Sequence, residues 1–93
     1  MNLLNRKKTF NPILMHVYFK MKDGLNLIVE AEVHQVTYDV FKALFPKKDY
    51  RNFPATFTDL VDLAYFATMN MEVLRGMRKE EFIEQVTDIK VIK

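Results

Sequence analysis

The stretch Ile13-Leu14-Met15-His16-Val17-Tyr18-Phe19-Lys20-Met21-Lys22-Asp23-Gly24-Leu25-Asn26-Leu27-Ile28-Val29-Glu30-Ala31-Glu32-Val33 decides the fold. Its apolar residues recur with a period of two on both sides of Asp23-Gly24, the pattern of a β-hairpin with one buried face. A two-residue turn would set each apolar residue opposite a polar one. A three-residue loop, Lys22-Asp23-Gly24, instead pairs Met21 with Leu25, Phe19 with Leu27, Val17 with Val29, Met15 with Ala31 and Ile13 with Val33. The result is one continuous apolar face, which a one-residue slip would destroy. Gly24 then takes the left-handed position of a type I turn with a G1 bulge, where a side chain is costly.

The opposite face of the hairpin is mixed. It carries Leu14, His16, Tyr18, Lys20, Asn26, Ile28, Glu30, Glu32 and His34, with large apolar bodies set among charges. Either another element partly covers this face or it binds a partner. For the second case Tyr18, Lys20, Ile28 and Glu30 are the candidate partner-binding residues, since an aromatic and an aliphatic can anchor a protein contact.

Downstream the period lengthens to that of helices. Thr37 is the expected cap of a short helix, with Val40, Phe41, Leu44 and Phe45 as its apolar side and Pro46 ending it. A basic and aromatic loop follows, Pro46-Lys47-Lys48-Asp49-Tyr50-Arg51-Asn52-Phe53-Pro54. Thr56-Phe57-Thr58-Asp59 has the form of a capping box. It opens a helix expected to reach about Leu74, on the stripe Phe57, Leu60, Val61, Ala64, Ala67, Met71 and Leu74, with Gly76 as its stop. A third helix is expected over about Arg78–Val86, with Phe82, Ile83 and Val86 inward. Ile89-Lys90-Val91-Ile92 reads as a short closing strand beside the hairpin, because a lone hairpin is marginal in water. The fold class is therefore α+β, in the order β-β-α-α-α-β, with three helices on one face of a small sheet. Residues 1–12 form a basic arm and 13–93 one compact domain.

Composition narrows the class of function. At 93 residues the chain holds one domain, and it contains no cysteine, which removes disulfides, thiolate metal sites and cysteine nucleophiles together. Its eight Phe, four Tyr and six Met supply a dense small core, each worth roughly 1.5–3 kcal/mol when fully buried, or a core continued across an interface with another copy of the chain. Its apolar runs are far shorter than the roughly twenty residues of a membrane span, and no apolar segment follows the first charges, so a cytoplasmic protein without a membrane partner is expected.

Candidate chemistry is sparse. His16, Glu30, Glu32 and His34 share a sheet face and include zinc-type ligands, but His34 pairs two positions from His16, and cross-strand His–Glu contacts explain all four. Serine is absent, the threonines sit at caps and strand ends, and two glycines cannot build a phosphate loop. No catalytic residue, metal site or cofactor is assigned, and an enzyme is not expected.

The net charge of +2 hides blocks of opposite sign: residues 1–22 hold five bases and no acid, residues 23–40 four acids and no lysine or arginine. Such blocks can orient a protein partner. Arg6, Lys7 and Lys8 in the arm, with Lys47, Lys48, Tyr50 and Arg51 in the loop, interleave cations and stackable rings as single-stranded nucleic acid requires. The acidic stretch would repel phosphate. The expected function is thus a small non-catalytic protein-binding factor, a regulator, inhibitor or assembly factor of a size common among phage and mobile-element products. A single-stranded nucleic-acid binder is the alternative.

The segment Asp59-Leu60-Val61-Asp62-Leu63-Ala64-Tyr65-Phe66, followed by Met77-Arg78-Lys79-Glu80-Glu81-Phe82, resembles the C-terminal helices of phage tail-assembly chaperones. That resemblance covers about a third of the chain and implies a second alternative, an assembly chaperone built on a helical pair. The N-terminal hairpin departs from the family's pattern, and no functional residue is carried over.

Overall fold

A computed structural model of the chain describes residues 11–92. The arm residues Arg6, Lys7, Lys8 and Phe10 lie outside them. The two strands of the hairpin are β1 (Ile13–Lys20) and β2 (Asn26–Val33), followed by α1 (Gln35–Leu44), α2 (Phe57–Thr68), α3 (Lys79–Gln85) and β3 (Val86–Ile92). Short 3-10 turns at Tyr50–Asn52 and Glu72–Leu74 join the helices. The order β-β-α-α-α-β is as the sequence implies.

The hairpin register matches expectation at every pair from Ile13↔Val33 to Phe19↔Leu27. Met21 N–H donates to the Leu25 carbonyl at 2.8 Å and Gly24 N–H to the Met21 carbonyl at 2.9 Å, closing the three-residue loop. Gly24 sits at φ +90°. Asp23 Oδ1 accepts from the Leu25 N–H at 3.0 Å, so the loop has its own side-chain brace. The closing strand is longer than Ile89–Ile92 and pairs antiparallel with β1, giving the sheet order β2-β1-β3. A bulge between Tyr18 and Phe19 interrupts that second ladder.

Met15, Val17, Phe19, Val29, Ala31 and Val33 are buried on the helix-covered side with Phe41, Val61, Leu63, Ala64, Leu74, Phe82 and Ile89. Aromatic contacts join the layers: Phe19 meets Phe82 edge-on at 5.2 Å and Phe41 meets Phe66 edge-on at 5.7 Å, while Phe41 and Phe53 are tilted at 5.5 Å between ring centroids.

Local expectations are corrected in all three helices. α1 begins at Gln35, directly after an extended His34, and not after a Thr37 cap; no side chain caps it. Its inward residues are Tyr38, Phe41 and Phe45, while Val40 and Leu44 turn outward at 45% and 61% exposure. Apolar residues surround much of this helix, and the larger aromatic side chains take the core. α2 keeps its capping box, with Thr56 Oγ1 accepting from Asp59 N–H at 3.1 Å. However, it ends at Thr68, whose buried hydroxyl donates to the Ala64 carbonyl at 2.7 Å. Leu74 reaches the core from the 3-10 turn instead, and Gly76, at φ +86°, ends that turn. Phe57 and Met71, expected on the inward stripe, are exposed, as is Ile83 of α3, whose buried residues are Phe82 and Gln85. A seven-residue helix turns too little surface to the core to bury Ile83 as well.

Candidate functional site: the open face of the sheet

The helices cover one face of the sheet; the other is built from alternate residues of all three strands. Across it, Leu14 stands between Glu32 and Ile92, His16 between Glu30 and Lys90, and Tyr18 between Ile28 and Asp88. Lys20 pairs with Asn26 at the turn end. The four residues singled out for partner binding therefore share one surface, with Tyr18 and Ile28 directly opposed. Ile28 is 59% exposed. Tyr18 is half-buried, its ring covered by the Lys90 ammonium at 5.6 Å from the centroid. Its carbonyl accepts from Thr87 Oγ1 at 3.1 Å, which ties the bulged part of β3 to the central strand.

The histidines and glutamates of this face form two separate contacts. His16 Nε2 lies 3.6 Å from Glu30 Oε2, and His34 Nε2 lies 3.5 Å from Glu32 Oε2. Among the described residues, no three His, Cys, Asp or Glu side chains are placed to hold a metal ion.

The 47–53 loop is differently disposed from a strand-tracking surface. Lys48 turns inward: its Nζ lies 3.0 Å from Asp59 Oδ1 and 3.2 Å from Asp62 Oδ2, with 21% of the side chain exposed. The bond to Asp59, with Asp62 beyond it, raises the Lys48 pKa against the lowering effect of burial. Tyr50 packs against Phe53 at 5.1 Å and Tyr38 at 6.1 Å, and its hydroxyl donates to the Phe45 carbonyl at 2.5 Å. Burial pushes its pKa up. Arg51 folds back on Asp49, Nε to Oδ1 at 3.1 Å. Lys47 is exposed.

Comparison with family models, with curated proteins and with solved structures gave no match. The likeness of residues 59–66 and 77–82 to assembly chaperones thus rests on those residues alone. In the structure residues 59–66 lie on α2, 12 residues long, and residues 77–82 lead into the first half of α3, with a 3-10 turn between the two helices.

A second apolar surface runs along the outer side of α1. Val36, Val40 and Leu44 follow one another at every fourth residue along the outer side of α1, and Val36 and Val40 border a groove shared with Ala67 and Met69 at the end of α2. The i, i+4, i+8 spacing marks this side in the sequence, but Val40 and Leu44 fit the expected core face of α1 equally well. No helix of the described residues is long and apolar enough to cross a membrane.

Proposed function

We propose that the protein is a small non-catalytic protein-binding factor, acting in the cytoplasm, that engages its partner through the open face of the sheet. One observation carries this: Tyr18 and Ile28 stand side by side, in register, on the face turned away from the helices. An aromatic and an aliphatic, rimmed by Lys20, Glu30 and Lys90, combine an apolar centre with a polar rim, the common anatomy of a protein interface. The alternative, single-stranded nucleic acid, has less support, because Lys48 and Tyr50 are already engaged within the fold.

The test compares wild type with Tyr18→Ala/Ile28→Ala in capture of protein from host lysate, alongside titration of a labelled oligonucleotide at low salt. The variant is expected to lose a band that wild type retains, and neither should bind the oligonucleotide. Capture unaffected by the double change would refute the open-face assignment. Oligonucleotide binding that weakens steeply with salt would favour the alternative.

A further inference from the structure

The sheet ends differently at its two edges. On β3 the ladder to β1 is broken by the bulge at Tyr18/Phe19, and Asp88 Oδ1 accepts the N–H of Ile89 at 2.9 Å. Ile89 belongs to the alternate set that turns its backbone away from β1, so a donor that another strand would need is already occupied. Bulges and side chains that occupy outward groups are common guards of a sheet edge.

β2 carries none of these guards. It runs eight residues, Asn26–Val33, in unbroken register with β1, and contains neither proline nor lysine. The Met21–Leu25 hydrogen bond is in phase with Phe19↔Leu27, Val17↔Val29 and Met15↔Ala31, so those residues bond inward. Asn26, Ile28, Glu30 and Glu32 consequently present their backbone N–H and C=O groups outward. Among the described residues no strand pairs with them. Their side chains lie on the open face, so an added strand would extend the surface that already holds Tyr18.

Charge selects the occupant. Glu30 and Glu32 are exposed at alternate positions of this edge, within the block 23–40 that holds four acids and no lysine or arginine. An antiparallel pairing of β2 with a second copy would crowd four glutamates onto one face, and like charges across strands destabilise the pair. A strand with bases at alternate positions meets the opposite situation.

Resting on the protein-binding assignment of the open face, we propose that β2 takes up an extended basic segment of a partner protein as a fourth strand. Lysine or arginine side chains of that segment stand opposite Glu30 and Glu32, and an apolar one stands against Ile28. Backbone pairing supplies the affinity, and the alternate side chains supply the selectivity.

The probe is a synthetic eight-residue peptide with lysine at two alternate positions and isoleucine at the next. It is added to the full chain at low ionic strength while amide hydrogen exchange is followed by NMR. Exchange at Ile28, Glu30 and Glu32 is expected to slow by at least about tenfold at saturation, while Val91 on the other edge is unchanged. A peptide N-methylated on its pairing side, or one with glutamate in place of lysine, should give no protection. Glu30→Gln with Glu32→Gln should weaken binding by roughly three- to tenfold, as expected for two exposed ion pairs; both side chains are exposed and the doubly changed chain should fold.

Amides left unprotected by the lysine peptide would overturn the proposal. So would equal binding of the N-methylated peptide, which would place the contact on side chains alone, or protection that grows with protein concentration without peptide, which would make the occupant a second copy. If Tyr18→Ala/Ile28→Ala abolishes partner capture while these amides stay unprotected, the open-face assignment stands and only the edge falls.

Discussion

Two regions of this small molecule hold comparable sets of charges and use them in opposite ways. In the seam between the 46–54 loop, α2 and α3, Lys48 contacts Asp59 and Asp62, and Lys79 Nζ lies 2.8 Å from Asp62 Oδ1. Both ammonium groups stand 5.8 Å from the centroid of the Phe45 ring. Asp62 is only 12% exposed and serves two lysines. On the open sheet face the His16–Glu30 contact is longer, 3.6 Å, and Glu30 is 71% exposed. Acidic and basic side chains therefore fasten elements together where apolar neighbours exclude water, and remain available to a partner where water screens them.

Asp62→Ala should produce the largest loss. It leaves Lys48 and Lys79 facing each other across a partly dry seam, with Asp59 alone to offset them. Removing one partner of a fully buried pair costs about 3–5 kcal/mol; partial exposure of both lysines reduces the expectation to about 1–3 kcal/mol. Urea denaturation measures it. A loss no larger than that of Glu30→Ala would erase the distinction between the two regions.

The seam should also report itself through pH. The Asp59 pKa is held below its ordinary value, first by the Ala55 N–H and then by Lys48, against the opposing effect of burial. A lowered carboxylate stabilises the fold fully above its unfolded value, near 3.8, and that contribution disappears as pH falls through the folded value. Lys48 is raised, so its contribution is complete below about 10.5 and disappears as pH climbs through its folded value. Stability of the wild type should therefore fall at both extremes. Lys48→Met should reduce the alkaline part of that fall, which thermal melts at pH 9 to 12 will resolve. The remainder belongs to Tyr38 and Tyr50, whose burial-raised pKa values also make the fold less stable as pH climbs above about 10. A limb as steep as that of the wild type would mean that Lys48 contributes nothing to it.

Thr56→Ala should have a smaller effect, about 1 kcal/mol, the usual loss for an N-cap hydroxyl. It frees one N–H of α2 and loosens the box that holds Asp59 beneath Lys48. Combined with Asp62→Ala it should be non-additive, because the two changes share Lys48. Strict additivity in a double-mutant cycle would separate the cap from the seam.

What the sequence made legible follows the same division between local and distant causes. The hairpin could be read to the level of register, because period two, Asp23-Gly24 and a continuous apolar face agree on a single pairing. With the register came the open face and the neighbours Tyr18, Ile28 and Glu30. The seam could not be read this way: Lys48, Asp62 and Lys79 meet from a loop and two helices, and no local pattern records such a meeting. The end of α2 was overrun because Met71 and Leu74 continue the helical spacing and nothing before Gly76 breaks it. α1 was turned too far because Val36, Val40 and Leu44 compete with Tyr38, Phe41 and Phe45 for the same core, and side-chain size decides the contest.

The smallest expected effect is the one that bears most on function. Glu30→Gln removes the charge opposite His16 while keeping the shape and a hydrogen-bonding amide. An exposed contact of this kind contributes about 0–1 kcal/mol, and retention of the amide should keep the change in stability below about 0.5 kcal/mol. If the open face is free to receive a partner, that near-silent change in melting should accompany a measurable loss of affinity for it. A melting temperature that falls as far as in Asp62→Ala would instead show that Glu30 holds the sheet together. The face would then belong with the seam, its charges serving the fold and leaving a partner only Tyr18 and Ile28 to recognise.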